Sequence, residues 1–393
     1  MNDTALRRPV DDAAHASRGS KRVVVASLEP WDDVWRRNQY LIDGLLRADD
    51  ELEVLFVEPA ADPLYALASH RRASIGRGLR VADGYDGRLR LYQPTKVLPR
   101  RVGRMADELV SAGIRRAVSR SGWRHGVLWI NDPGQSPLLD AFGWPSLYDV
   151  TDDWVLAERG AREHERIADA DAELLRRCNE VVVCSPGLQR SKSSHRSVRL
   201  IPNAVDVARY RRQVPRPSDL PAGPIALYVG TLHEDRLDVD LVVRTADALT
   251  EGAVVLVGPN ALTQENTGRL SGHPRILLAG ARPRDEVPGY LQHANVLIVP
   301  HVVDEFTESL DPLKLYEYLA VGRPVVSTAV AGFRDEARVT TAAPDAFPAA
   351  VAACLGHWQP TAPPVDVPDW ADRVAEYRAV LAPLLARAQE PLR

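Results

Sequence analysis

Short continuous apolar runs recur along the chain: KRVVVAS, LEVLFVE, GVLWI, PSLYDV and EVVVCS in the first half, then IALYVG, AVVLVG, RILLAG, VLIVP and PVVST in the second. Few of them alternate apolar with polar residues, so they read as strands buried on both faces, as in parallel sheets. Helical patterns lie between them, among them VWRRNQYLIDGLL, DADAELLRRC, LDVDLVVRTADAL and RDEVPGYLQHA. The rhythm is βαβ, repeated in two halves. Prolines crowd the stretch RRQVPRPSDLPAGP at 211–224, which marks a linker. The last stretch, VPDWADRVAEYRAVLAPLLARAQ, has apolar residues at helical spacing and predicts a long closing helix.

These boundaries predict an α/β protein of two Rossmann-like domains facing each other across a cleft. The expected parts are a disordered tail (1–20), an N-terminal domain (21–210), the linker (211–224), a C-terminal domain (225–368) and a closing helix (369–393) that returns to the first domain. Ligands of such sheets bind at the carboxyl ends of the strands, so the cleft is the expected site.

Composition narrows the function. The chain has 393 residues, 45% hydrophobic and 26% charged, with a formal net charge of −4. That is a soluble globular balance with no bulk attraction to nucleic acid or to an anionic membrane, so any anion must be recognised locally. Three scattered cysteines, Cys178, Cys184 and Cys354, form neither a disulfide framework nor a zinc site, which suggests a reducing, cytoplasmic setting. Residues 1–20 lack the apolar core of a signal peptide, and no later run is long enough to span a bilayer. Abundant Arg and Ala are associated with bacterial, GC-rich coding. No P-loop and no G-x-S-x-G elbow is present, so their chemistries are unsupported.

The stretch SLDPLKLYEYLAVGRPVVST, 309–328, carries the sharpest chemistry. Asp311 suits an N-cap and Pro312 the first helical position, so the N–H groups of Leu313 and Lys314 point out of a helix start that attracts anions. Lys314 adds a full charge there. Glu317 follows roughly 5 Å along the axis, the separation of a nucleotide's phosphates from its ribose. The plainer alternative makes Asp311 only a cap and pairs Glu317 with Lys314 on a wet face.

On the first half, Trp31, Trp35 and Arg37 suggest an aromatic and cationic wall for an acceptor, and Asn38 falls on an apolar helical stripe where it needs a partner. A core tryptophan and a solvated arginine are the alternative. Asp149, Asp152 and Asp153 follow the run PSLY, and mutual repulsion suits one of them to act as a base. Alternatively, Asp152 or Asp153 caps the helix DWVLAERGAREHERI.

Together with YVGTLHEDR and IPNAVD, the 309–328 stretch resembles the nucleotide-binding half of the GT-B glycosyltransferases, particularly the family-4-like group and its bacterial cell-surface-polysaccharide and natural-product relatives. The resemblance runs from about Lys21 to the final helix. It implies Glu317 on the donor ribose, and Arg236, after Gly230 and Thr231 of the GTL motif, on the diphosphate. It also places Ala281 and Arg282, after LLAG, beside the base, although Arg282 as a mere helix cap fits equally. His233 lies in the same GTLHEDR loop, near the expected phosphate. There are two departures: the family's usual second glutamate is Ser309, with Glu308 displaced by one, and the arginine common in GRL is Thr231. They leave sugar contacts and stereochemistry open.

The resemblance implies transfer of a sugar from a nucleoside-diphosphate sugar to a hydroxyl of a glycan, lipid-linked or small-molecule acceptor. Arg236 and Lys314 would stabilise the leaving diphosphate, and Asp152 or Asp153 would serve as base if the reaction inverts. No cofactor, no metal and no nucleic-acid partner is expected, and a peripheral membrane contact stays open. A nucleotide-sugar 2-epimerase of the same fold and a non-catalytic nucleotide-sugar-binding subunit are the alternatives.

Overall fold

The computed structural model describes residues 21–68, 72–98, 104–155, 160–194, 196–304, 307–357, 363 and 365–390; the expected tail at 1–20 lies outside them. The first sheet contains β1 (Lys21–Ala26), β2 (Leu52–Val57), β3 (Gly78–Val81), β4 (Leu89–Gln93), β5 (Val127–Ile130), β6 (Ser146–Val150), β7 (Glu180–Val183) and β8 (Arg199–Leu200), in the order β3-β4-β2-β1-β5-β6-β7-β8. Every pairing is parallel except β3 with β4. In β1, Val23 and Val25 enter one core while Val24 and Ala26 enter the other. That alternation explains the continuous apolar run: both faces are covered by helices.

The second domain repeats the design. Its strands are β9 (Ile225–Val229), β10 (Leu232–His233), β11 (Ala253–Val257), β12 (Asn260–Ala261), β13 (Ile276–Gly280), β14 (Val296–Val299), β15 (Val325–Ser327) and β16 (Val339–Thr341). Six form a parallel sheet in the order β13-β11-β9-β14-β15-β16, and β10 pairs with β12 in a small ribbon. Leu227 faces one core and Tyr228 the other, as in β1.

The chain changes domain earlier than the proline-rich stretch suggests. Ile201 and Ala204 pack into the first domain, whereas Val205 and Tyr210 pack into the second. It returns beside that crossing, where Val205 N donates to Pro368 O and Trp370 N to Val205 O, both at 3.2 Å. The helix Trp370–Gln389 then lies on the first domain, and the Asp369 carboxylate caps it by accepting from Ala371 N at 2.8 Å. Its Tyr377 ring stacks on Trp129 with centroids 4.7 Å apart, and Trp370 stacks on Tyr40 at 4.9 Å. Each such pair contributes about 0.5–1.5 kcal/mol beyond its buried area. The closing helix therefore fastens the second domain's exit to the first domain's core.

Candidate active site

A cavity of about 600 Å³ lies between the domains at the carboxyl ends of β1, β6, β9 and β11. Its second-domain wall is built around the helix Leu313–Val321. Lys314 extends from the first turn of that helix, and its Nζ donates to the Tyr228 hydroxyl at 2.9 Å, 4.1 Å from the Tyr228 ring centroid. Gly230 ends β9 with φ +144°, and a Cβ there would sit 3.0 Å from Lys314 Nζ. Gly258 ends β11 with φ +148° and approaches Gly230 O so closely that a Cβ would collide with it. The missing Cβ at Gly230 leaves room for the ammonium, and the one missing at Gly258 lets the two strand ends approach each other.

Enclosure by the cleft walls pushes the Lys314 amine down to about 7, against the pull of Glu317 and with the help of Arg236. Burial likewise lowers the His301 imidazole, with Lys314 and Arg236 adding to the effect, and lowers His233. This wall thus concentrates donors and positive charge beside a helix start: a site that an anion would complete. Glu317, one turn further, accepts from the Tyr210 hydroxyl at 2.6 Å, and burial holds its carboxyl above the usual range despite Tyr210, Lys314 and Arg284.

Asp311 does not cap the helix. Pro312 occupies the N-cap position without a side-chain hydrogen bond, and the helix starts at Leu313. The Asp311 carboxylate instead accepts from Asn203 N at 2.5 Å and from the Tyr316 hydroxyl at 2.7 Å, while Asn203 Nδ2 donates to Asp311 O at 2.6 Å. Asn203 belongs to the IPNAVD motif, so Asp311 binds the crossover segment to the helix start.

Arg37 stands behind the same junction. It is 4% exposed and donates to Asn203 Oδ1 (2.9 Å), Ile201 O (2.6 Å) and the Tyr377 hydroxyl (2.8 Å), with Asp149 at 3.6 Å. It reaches the cleft lining as a brace whose two Nη groups are committed and whose Nε faces Asp149, and does not offer an open cationic wall. Trp31 is absent from that lining; it packs edge-on against Phe56 and Tyr85, and Trp35 takes its place at the cleft. Asn38 lines the cleft while donating to Ser27 and Asn131, and its Oδ1 has no partner.

The three aspartates separate. Asp149 is fully buried and accepts from Trp129 Nε1 at 3.2 Å and from Asn131. Asp153 is held by Lys192 Nζ at 3.1 Å, away from the cleft lining, which removes it as the expected base. Asp152 alone faces the cavity; burial raises its carboxyl, and Arg236 tempers the rise. Neither Asp152 nor Asp153 caps the following helix, whose N-cap is Gly160. Among the described residues no group of three or more His, Cys, Asp or Glu is placed to hold a metal ion.

Arg236, Thr231, Pro312 and Leu313 line the cavity. Arg282 also lines it, but its guanidinium is committed to Asp219 (2.5 Å) and the Tyr290 hydroxyl (2.6 Å), so it is not a free stacking group. Arg284, two residues on, lies 3.8 Å over the Trp35 ring and 4.7 Å from that of Tyr40, joining the domains at the cleft edge. Glu308 pairs with Arg334 through two hydrogen bonds, at 2.6 and 2.5 Å, outside the cleft lining. Glu29 was not foreseen. It lines the cavity 3.5 Å from Arg36, and enclosure lifts its carboxyl to about 7 against the pull of Arg36, with Asp152 adding to the rise.

Residues 223–357 match the family model described as Glycosyl transferases group 1. Over 326 residues the chain is 26% identical to TuaH of Bacillus subtilis (strain 168), provisionally described as a teichuronic acid biosynthesis glycosyltransferase; the match covers 78% of this chain and 80% of TuaH. Two solved structures share the fold at low identity. OtsA in its apo form superposes with a TM-score of 0.61 at 11% identity, over 94% of this chain and 96% of OtsA. Anabaena HepE in complex with UDP gives 0.57 at 15% identity, over 94% and 95%.

Proposed function

We propose that this chain, a glycosyltransferase with the two-domain GT-B fold, holds a nucleoside-diphosphate sugar on its second domain and delivers the sugar to an acceptor hydroxyl entering over the first. One observation carries the reading: Lys314, Arg236, the helix start at Leu313 and the Glu317 carboxylate converge on one wall of a single cavity. UDP is the nucleotide to test first, because HepE was solved with it. Glu317 would take the ribose hydroxyls. Lys314 and Arg236 would meet the diphosphate and stabilise its charge as the sugar departs, a preorganised role that costs little reorganisation in the transition state.

Asp152 is the candidate base for an acceptor hydroxyl, with Glu29 beside it as a second acceptor. The cleft's first-domain cations, Arg36 and Arg37, are already paired. The wall therefore favours a hydroxyl-rich, uncharged acceptor end, on a glycan, a lipid-linked sugar or a small molecule. The 2-epimerase and partner-subunit alternatives gain no support from the relatives described. Incubation of purified protein with UDP-sugars and an acceptor panel tests the proposal; sugar transfer supports it, whereas conversion of the donor without any acceptor would favour the epimerase.

A further inference from the structure

Around Lys314, side chains from three separate elements close a triangle. The Tyr228 hydroxyl, on β9, lies 2.9 Å from Lys314 Nζ and 3.0 Å from His301 Nε2, and Lys314 Nζ lies 3.4 Å from that same His301 nitrogen. All three residues line the cleft, yet Tyr228 is 1% and His301 9% exposed. Polar groups buried this deeply are stable only with their hydrogen bonds met.

The chemistry of each group fixes who donates. An ammonium has three donors and no lone pair, so Lys314 donates to the Tyr228 oxygen. The Tyr228 hydroxyl has one proton to give, and His301 Nε2 at 3.0 Å is nearer than Thr231 O at 3.4 Å. A proton on Nε2 would face the Lys314 donors and leave the Tyr228 proton only the longer contact. The network therefore assigns Nε2 as an acceptor and the ring as neutral, with its proton on Nδ1. Burial, Lys314 and Arg236 all hold the imidazole below its usual range, in agreement. Tyr228 thus takes one ammonium N–H and His301 a second, longer one, which leaves the third for a ligand oxygen.

The segment that carries His301 also fixes the second cation of this wall. His301 pairs with Leu237 in an antiparallel bridge, Val302 N donates to Arg236 O at 2.9 Å, and Thr328 Oγ1 donates to His301 O at 2.8 Å. The Arg236 loop and the Lys314 ammonium are therefore held by the same two residues after β14. Given that Lys314 meets the donor diphosphate, as proposed above, we infer that Tyr228 and His301 are positioning residues for sugar transfer: an uncharged pair that holds the ammonium by two of its donors and leaves the third for the departing diphosphate.

The pair is tested through the pH dependence it imposes. The charged and titratable groups around Lys314 are Glu317 on its own helix, Arg236 and His233 after β9, and Tyr228 and His301. Tyr228→Phe removes an acceptor that only the protonated wall of this site needs, so Lys314 should lose its proton at lower pH. The decline of UDP affinity with rising pH should then begin about one pH unit below that of wild type, and kcat should fall about tenfold, with uridine affinity unchanged. His301→Leu should act in the same direction, and His301→Gln, which restores a neutral acceptor, should recover most of both losses. Should Tyr228→Phe fail to fold, the His301→Leu and His301→Gln pair decides by the same profile. A lower melting temperature or turnover with an unmoved pH profile would reduce the pair to packing and overturn the inference. If Lys314→Met loses its preference for UDP over uridine while the Tyr228 and His301 variants keep the wild-type profile, the inference falls and the donor reading stands; a wild type that binds UDP no better than uridine overturns both.

Discussion

Lys314 stands where the protein opposes its charge, and that conflict makes pH a probe of its role. Its amine titrates at about 7 in the folded chain against an ordinary value of 10.5. Between those values the unfolded chain holds the proton and the folded chain does not, so this residue's contribution to stability rises with pH across that window. Diphosphate binding restores the charge, so UDP affinity should fall over the same rise. Calorimetry near pH 8 in buffers of different ionisation heat should show proton uptake on UDP binding, absent in Lys314→Met; no uptake by wild type would separate Lys314 from the phosphate. At Glu317 the expected partner is neutral. Glu317→Ala should weaken UDP binding by about 1.5–3 kcal/mol, the range for a charged hydrogen bond, in a variant that still folds although the Tyr210 hydroxyl loses its acceptor. Wild-type affinity in that variant would remove the ribose role.

The helix Leu313–Val321 owes its placement to a contact across 108 residues of sequence, the pair Asn203 and Asp311. Asp311→Ala should destabilise the chain by about 1–3 kcal/mol in denaturant titration, because it leaves buried donors unpaired, and should impair turnover as the helix start shifts. A fully stable, fully active variant would contradict the brace. The helix itself was legible from its apolar spacing and from Gly322, which stops it at φ +72°. Its true start was not, since local pattern alone makes Asp311 a cap and cannot see Asn203. All ten apolar runs form strands. The strands that escaped notice are outer or short: β3 and β4 carry arginines and partly exposed residues, and β8 and β10 are two residues long. Site residues divide in the same way. Lys314, Glu317 and Gly230 lie in stretches with recognisable local signals, whereas Glu29 and Arg284 acquire their surroundings from the other domain or from a neighbouring strand.

Across the whole molecule the proposal assigns the two cleft walls different work. The second-domain wall should set donor affinity and the first-domain wall should serve the acceptor, so Asp152→Asn should lower the transfer rate while leaving UDP affinity nearly intact. Steady-state kinetics beside equilibrium binding separates the two effects, and a collapse of UDP binding in this variant would move the donor to the first domain. The central claim, that cationic side chains and a helix start hold the diphosphate, is tested most directly by comparing UDP and uridine affinities in excess EDTA. UDP should bind about 100-fold more tightly than uridine, a difference of about 2.7 kcal/mol, and most of that margin should vanish in Lys314→Met. Equal affinities for the two, or a UDP preference that disappears with EDTA and returns with Mn²⁺, would contradict the account.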